Sequence, residues 1–231
     1  MIDYFCIIQA RLNSSRLPAK VMLDLGGETL LQRVYETVSR SKNIDNIVVA
    51  TSDQESDNMI AQQSKKMGII CYRGSLNNVL KRFYDVAKLH NAKNIVRITA
   101  DNPLMDSGVI DDLITHFKSS RMDYSMFENG VYGLSAEVFT FDSLKEAFKN
   151  SKSILDNEHV TPYIRNNFIV NNIDIHEPYN RPELRATIDT LEDYIRMEAF
   201  YLFCDKHSYV QNMDNYILYQ DNAKNIEFTP Q

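Results

Sequence analysis

Three cationic side chains lie within ten residues near the start of the chain, at Arg11, Arg16 and Lys20, and no acidic residue separates them. The stretch from Ala10 to Lys20 also contains small hydroxyl and amide residues and a proline. Arginine can donate two hydrogen bonds to one phosphate, and lysine adds a compact charge on a long stem. The stretch therefore predicts a loop that binds a polyphosphate through these three cations.

The sequence around this loop matches neither a Walker P-loop nor a glycine-rich dinucleotide motif. Taken alone, a basic loop could also be a solvated connection, and that alternative stays open at this point. Its position favours binding, because it follows the apolar run 4–9, which is typical of a buried strand. Asp101 follows another predicted strand, where its carboxylate could hold Mg²⁺ or simply form a turn.

The elements that position these residues alternate between strand and helix over the first two-thirds of the chain. Such alternation predicts βαβ units with right-handed crossovers, and hence an α/β fold with a mostly parallel central sheet. Ligands bind beyond the carboxyl ends of such strands, which here means after Gln9, Thr51 and Thr99. The predicted strands are 4–9, 47–51, 69–72 and 94–99, and the predicted helices cover about 30–42, 55–67, 79–90 and 109–117.

The pattern changes from about residue 123. We interpret residues 123–175 as an insertion on the main sheet, within a single domain that covers residues 1–231. Thr190 and Asp193 have the spacing of a capping box at the start of a long helix. The further predicted strands are 123–127, 136–140, 168–175 and 185–188, and the further predicted helices are 143–150, 158–166 and 212–222.

Composition limits the classes of protein that fit. The chain has 231 residues, 44% of them hydrophobic and 24% charged, which fits one large globular domain. No apolar run approaches the roughly 18 residues of a membrane helix, so no membrane partner is expected. Three cysteines without metal or redox spacing are typical of a reducing cytoplasm. The net charge of −6 argues against a nucleic-acid partner, whereas a local basic loop favours a small anionic ligand.

The pattern Gln9-Ala-Arg-x-x-x-Ser-Arg-Leu-Pro-x-Lys20 resembles the signature of the cytidylyltransferase family, and especially its spore-coat polysaccharide type. That family also includes the synthetases of CMP-sialic acid and CMP-ketodeoxyoctonate. Similar segments recur over roughly residues 4–200, among them 97–104, 158–164 and 184–193. The resemblance implies a Rossmann-like three-layer αβα nucleotidyltransferase fold, with a dimerisation arm at about 123–175 and hence a homodimer.

The implied reaction is attack by an acceptor oxygen on the α-phosphorus of CTP, which gives a CMP conjugate and pyrophosphate. The implied acceptor is an anionic 2-keto-3-deoxy sugar acid used for surface polysaccharide. By resemblance the catalytic residues are Arg11, Arg16, Lys20 and Asp101, and the Mg²⁺ ligands are Asp101 and Asp189. The implied nucleotide ligands are Gln9, Ala10, Arg11, Ser15, Arg16, Lys20, Thr51, Asp53, Arg73 and Thr99, and the implied acceptor ligands are Glu137, Glu158, His159 and Arg185.

One position departs from the family pattern. Ser135 stands where the acceptor segment of the family often has an aspartate. Two alternatives remain open: a nucleotidyltransferase that uses another base on a sugar phosphate, and a nucleotide-binding module without turnover. A nucleotide-sugar glycosyltransferase is disfavoured, because that class usually carries an Asp-x-Asp metal motif and the chain contains no such triplet.

Overall fold

The structure, a computed structural model, describes residues 2–223 of the chain. Its strands are β1 (Ile2–Gln9), β2 (Asp24–Leu25), β3 (Glu28–Thr29), β4 (Asn46–Ser52), β5 (Ile70–Gly74), β6 (Ala92–Thr99), β7 (Tyr124–Glu128), β8 (Glu137–Thr140) and β9 (Val170–Asp174). Its helices are α1 (Leu30–Val38), α2 (Asn58–Lys66), α3 (Val79–Leu89), α4 (Ser107–Ser120), α5 (Phe141–Asn150), α6 (Ile154–His159), α7 (Pro162–Asn167), α8 (Leu191–His207) and α9 (Met213–Ala223).

Seven of these strands form one sheet in the order β5-β4-β1-β6-β8-β7-β9, and β2 and β3 form a separate small ladder. Within the described residues, β8 alone runs against the other strands of the large sheet, because it pairs antiparallel with both β6 and β7. The remaining pairs are parallel. The prediction of an α/β fold with a mostly parallel central sheet is therefore confirmed.

Helices cover both faces of this sheet, which gives the predicted three layers. Alternate residues of β1 enter different cores: Cys6 and Ile8 pack with α1, α4 and α8, whereas Phe5 and Ile7 pack with α3 and α5. All four side chains are fully buried. A strand buried on both faces needs a continuous apolar run, which is the pattern that predicted β1.

Two predicted elements are wrong. The single helix predicted at 158–166 is two short helices, because α6 ends at His159 and Pro162 begins α7. Proline lacks an amide hydrogen and its ring clashes with the preceding turn, so it starts a helix more readily than it continues one. The strand predicted at 185–188 forms only one isolated bridge to the sheet region, between Tyr132 and Arg185. Its backbone bonds instead to two loops: Ala186 N donates to Tyr132 O and Ile188 N donates to Asp101 O.

The segment 123–175 adds β8, β7 and β9 to the β6 edge of the sheet. Because β8 is antiparallel, its first residue, Glu137, lies beside Arg97 near the carboxyl end of β6. This segment therefore brings side chains to the edge where ligands are expected. Its role in dimerisation stays a prediction. Among the described helices, none has both the length and the apolar character to cross a bilayer.

Candidate active site

The loop after β1 is closed by its own backbone and by one buried carboxylate. The amides of Ser14 and Ala19 both donate to Leu12 O, at 2.8 and 2.9 Å. Ala19 has a φ of 58°, in the left-handed region, and leads into a short 3-10 helix at Lys20–Met22. The Leu12 amide donates to Asp57 Oδ1 at 2.8 Å. These bonds hold the loop against the carboxyl end of β1.

Asp57 is the anchor of this loop, and it was missed by sequence reasoning. It is fully buried, and its other oxygen accepts from the Thr51 hydroxyl and from the amide and hydroxyl of Ser52. Its partner Leu12 is 45 residues away in the chain, so no local pattern indicates the contact. Asp57 thus ties the loop to the end of β4.

We expect Asp57→Ala to lower the free energy of unfolding by about 3 kcal/mol, because it leaves several buried donors without an acceptor. Urea unfolding followed by circular dichroism would measure the change. The matched control is Asp53→Ala, which removes an exposed carboxylate directly after β4. It should change the free energy of unfolding by less than about 0.5 kcal/mol. Equal stability of the two variants would contradict the anchoring role.

A cavity of about 170 Å³ opens beside the closed loop. It lies at the carboxyl ends of β1 and β6, which is where ligands bind in open parallel sheets. Most of the predicted phosphate and metal ligands meet here, although they come from three distant parts of the chain. The lining residues are Gln9, Ala10, Arg11, Ser14, Ser15, Arg16, Lys20, Val21, Thr99, Ala100, Asp101 and Asp189.

Lys20 lies at the centre of the charges in this cavity. Its ammonium donates to Asp101 Oδ2 at 2.7 Å, to Asp189 Oδ1 at 2.8 Å and to Ile188 O at 2.8 Å. Only 10% of the Lys20 side chain is exposed. The lysine therefore has three fixed acceptors and joins the two predicted metal carboxylates.

Asp189 is surrounded by cations. Besides Lys20, Arg16 and Arg185 each bond to its carboxylate at 2.8 Å. Burial alone would raise the pKa of Asp189, but the hydrogen bond and charge of Lys20, together with Arg16 and Arg185, outweigh it and lower the pKa. Asp193 likewise has a lowered pKa, because hydrogen bonds from Arg185 and Arg196 and from two backbone amides outweigh its burial. It also completes the predicted capping box with Thr190.

These lowered pKa values predict how stability depends on pH. A carboxyl group with a lowered pKa in the folded state stabilises the fold above its unfolded pKa of about 4, and this contribution is lost as the pH falls through the folded pKa. We therefore expect the free energy of unfolding to fall on acidification below about pH 4. Urea unfolding at pH 3, 4, 5 and 6 tests this, and Asp193→Asn should make the fall shallower. An equally steep fall in that variant would contradict the assignment.

Arg11 extends from the loop towards α6. Its Nη2 atom pairs with Glu158 Oε1 at 2.6 Å, and about a third of each side chain is exposed. Every cation of the loop is thus paired with a carboxylate: Arg11 with Glu158, Arg16 with Asp189, and Lys20 with both aspartates. His159, the neighbour of Glu158, is exposed.

Three predicted nucleotide ligands lie outside the cavity, at the carboxyl ends of β4 and β5. Thr51 is buried, and its hydroxyl donates to Asp57. Asp53 is exposed and accepts from Gln54. Arg73 donates to the carbonyl oxygens of Ser52 and Gln54 and to the side chain of Asn58. Nucleotide binding by Thr51, Asp53 and Arg73 stays a prediction.

Two of the predicted acceptor ligands, Glu137 and Arg185, differ in their surroundings. Glu137 is buried and bonded to Arg97, Tyr124 and Thr161, so its carboxylate does not face the cavity. Arg185 bonds to Asp189, which lines the cavity, and its guanidinium lies 4.7 Å from the centre of the Tyr132 ring. Arg97 was not predicted as a site residue. A charged residue inside the apolar run Ile95–Ile98 is a signal that could have indicated it.

The carboxylates of Asp101 and Asp189 suit Mg²⁺, which prefers oxygen ligands and commonly binds through one or two carboxylates together with substrate phosphates. The described residues contain no group of three or more histidine, cysteine or acidic side chains that could hold a metal ion. The residues therefore fit a magnesium ion that is held partly by the nucleotide. Magnesium binding stays a prediction.

A sequence model of the family described as cytidylyltransferase matches residues 5–223 of the chain. The chain belongs to the cytidylyltransferase family. It is therefore a CTP-dependent nucleotidyltransferase, as the loop motif predicted.

Several relatives of this cytidylyltransferase span most of its length. It is 41% identical to an uncharacterized protein of Methanocaldococcus jannaschii, over 90% of this chain and 85% of the relative. It is 37% identical to a spore coat polysaccharide biosynthesis protein of Bacillus subtilis, over 87% of each chain. A 3-deoxy-manno-octulosonate cytidylyltransferase of Chlamydia pneumoniae is 36% identical over a shorter region, 49% of this chain and 45% of the relative.

The fold of this cytidylyltransferase also matches a solved structure along its whole length. The structure of a cytidylyltransferase from Leptospira borgpetersenii superimposes with a TM-score of 0.87 at 28% identity, and covers 100% of this chain and 99% of that chain. The match supports the three-layer architecture derived from the strand order.

Proposed function

We propose that this cytidylyltransferase transfers CMP from CTP to an anionic 2-keto-3-deoxy sugar acid, with release of pyrophosphate, for the synthesis of surface polysaccharide precursors. The observation that carries the proposal is the convergence of Arg11, Arg16 and Lys20 with Asp101 and Asp189 around one cavity. The acceptor class is supported by the Chlamydia relative, a 3-deoxy-manno-octulosonate cytidylyltransferase, and the polysaccharide role by the Bacillus relative.

Nucleotide binding is an exchange of partners in this proposal. Each loop cation is paired with a carboxylate, and the triphosphate offers the arginines acceptors that they can bind through two parallel hydrogen bonds. Arg16 can move at low cost, because 61% of its side chain is exposed. Lys20 keeps its bond to Ile188 O and turns an N–H from one of the two aspartates to a phosphate oxygen. The exchange opens carboxylate oxygens of Asp101 and Asp189 to Mg²⁺, while Arg185 keeps its bond to Asp189 Oδ2.

In the reaction, an acceptor oxygen forms a bond to the α-phosphorus while the bond from that phosphorus to the pyrophosphate oxygen breaks. Negative charge grows on the leaving pyrophosphate. Fixed cations aimed at that charge stabilise the transition state, which is the main device in phosphoryl-type transfers. Arg11, Arg16 and Lys20 supply them. Mg²⁺, held by Asp101 and Asp189, would add further positive charge against the phosphates.

The acceptor is proposed to bind on the side of Arg185. A second cavity, of about 490 Å³, lies at the carboxyl end of β7 and is lined in part by Tyr132 and Ser135. Arg185 connects the two cavities, because it bonds to Asp189 in the first and lies over Tyr132 in the second. A guanidinium at this junction suits the carboxylate of a sugar acid. Glu158 and His159 are proposed as further acceptor contacts from α6.

Calorimetry with CTP, GTP, ATP and UTP, each with Mg²⁺, tests the nucleotide. A pyrophosphate assay with CTP and a series of keto-sugar acids, including 3-deoxy-manno-octulosonate, then tests the acceptor. We expect CTP to bind most tightly and at least one keto-sugar acid to release pyrophosphate. Preference for another base with a sugar phosphate as acceptor would refute the proposal, and so would CTP binding without turnover on any sugar acid.

We further propose that the protein is a cytoplasmic homodimer that associates through residues 123–175. Exposed apolar side chains of this segment include Ile154, Leu155 and Ile169, at 88%, 59% and 62% exposure. Removing such side chains from water favours association. Light scattering at micromolar concentration should give the mass of two chains, and Ile154→Glu with Leu155→Glu should give the mass of one. A wild-type mass of one chain would contradict the dimer.

A further inference from the structure

The orientation of the Gln9 amide follows from its neighbour Arg97. Gln9 ends β1 and lines the cavity of the phosphate loop. Arg97 Nη2 donates to Gln9 Oε1 at 3.2 Å. A guanidinium can only donate, so the atom of Gln9 that faces it must be the oxygen. The Gln9 Nε2 atom therefore lies on the side away from Arg97, and it forms no hydrogen bond within the part of the chain that the structure describes.

Arg97 is itself held from the other side by Glu137. The strand pairing places the two residues directly opposite each other, on β6 and β8, and their side chains form an ion pair. Glu137 also accepts from the Tyr124 hydroxyl at 2.6 Å and from the Thr161 hydroxyl at 2.7 Å. Only 13% of the Arg97 side chain and 11% of the Glu137 side chain are exposed. The chain Glu137, Arg97, Gln9 is therefore fixed at its inner end and opens to the cavity at its outer end.

We propose that Arg97 and Glu137 are positioning residues which orient the Gln9 amide so that its Nε2 donates a hydrogen bond to a phosphate oxygen of the bound nucleotide. The inference rests on the proposed binding of CTP in this cavity. It gives Glu137 a role that does not require contact with the acceptor. It also identifies Gln9 as a neutral donor beside the three cations of the loop.

The charge state of the pair is consistent with this role. Burial by itself would raise the pKa of Glu137, but the charge of Arg97 and the hydrogen bonds from Tyr124 and Thr161 outweigh burial and lower it. Glu137 is thus ionised near neutral pH and keeps Arg97 in place. The bonds to Glu137 and Gln9 hold the guanidinium of Arg97, whose buried Nε has no hydrogen-bond partner among the described residues.

The test is calorimetric titration of the wild-type chain and its variants with CTP and Mg²⁺. Gln9→Met keeps the length of the side chain and removes the donor, so CTP affinity should fall about tenfold. Gln9→Glu can still accept from Arg97 but has no N–H for the nucleotide, so the loss should be larger. Glu137→Gln should weaken binding by about threefold to tenfold. The double variant Gln9→Met/Glu137→Gln should bind no more weakly than Gln9→Met alone, because both changes remove the same contact.

The control is Asp45→Asn, which alters a carboxylate that bonds to the amides of Asp3 and Tyr4 at the opposite end of β1. Its CTP affinity should equal that of the wild type. Thermal melting of each variant separates lost folding from lost binding, and the two Gln9 variants test the inference even if Glu137→Gln does not fold. Unchanged CTP affinity in Gln9→Met, or additive losses in the double variant, would overturn the inference while CTP binding stands. Absence of CTP binding by the wild type would overturn the proposed function as well.

Discussion

Replacing Lys20 with alanine is expected to lower turnover on the order of several hundredfold or more, by analogy with the loss of a fixed charge partner of a transition state. The physical reason is the position of the ammonium, which Asp101, Ile188 and Asp189 fix in the wall of the cavity. Loss of this side chain therefore removes a positive charge from a fixed place. In the proposed reaction this ammonium faces the pyrophosphate while its negative charge grows. Pyrophosphate release from CTP and a keto-sugar acid measures the effect.

The matched control for Lys20→Ala is Lys93→Ala. Lys93 also pairs with an aspartate, Asp3, but at the opposite end of the sheet, and half of its side chain is exposed. It should leave turnover within about twofold of the wild type. A second readout concerns Mg²⁺ without nucleotide. Because the Lys20 ammonium bonds to both predicted metal ligands, its removal should not weaken the binding of Mg²⁺ alone. Near-normal turnover in Lys20→Ala would refute the catalytic assignment.

Much of the fold and of the cavity follows from local patterns in the sequence. The apolar run that predicted β1 is too short for a helix and is typical of a strand buried on both faces. It ends where the basic loop begins. In a parallel sheet the residues after β1 and β6 must meet at one edge, so the placement of Asp101 near the loop was predictable. The resemblance to a family added Asp189, which no local pattern joins to the same cavity.

The rest of the site depends on contacts between residues that are distant in the chain. Asp57 anchors the loop through Leu12, and the pairing of Arg97 with Glu137 depends on the antiparallel direction of β8. Neither periodicity nor composition encodes the direction in which a strand joins a sheet. The segment 185–188 was wrongly predicted as a strand for a related reason. Polar and apolar residues alternate in it as in a strand, but its backbone groups are bonded to loops.

Asp101→Asn is the second change with a large expected effect. The asparagine keeps the size of the side chain but loses the negative charge that strengthens Mg²⁺ binding, so turnover should fall on the order of several hundredfold or more. The Mg²⁺ concentration for half-maximal turnover should rise at least about tenfold, by analogy with the loss of metal-supporting groups. Pyrophosphate release across a magnesium titration measures both quantities.

The matched control for Asp101→Asn is Asp106→Asn, five residues further along the same loop. Asp106 caps α4 by accepting from the Val109 amide, and asparagine caps helices about as well as aspartate. The control should therefore keep both turnover and the magnesium requirement of the wild type. If Asp101 served only to hold Lys20, Asp101→Asn would lower turnover with no change in the magnesium requirement. That result would remove Asp101 from the metal site. A magnesium requirement that rises in Asp101→Asn but not in Asp106→Asn would instead assign Mg²⁺ to the Asp101 carboxylate.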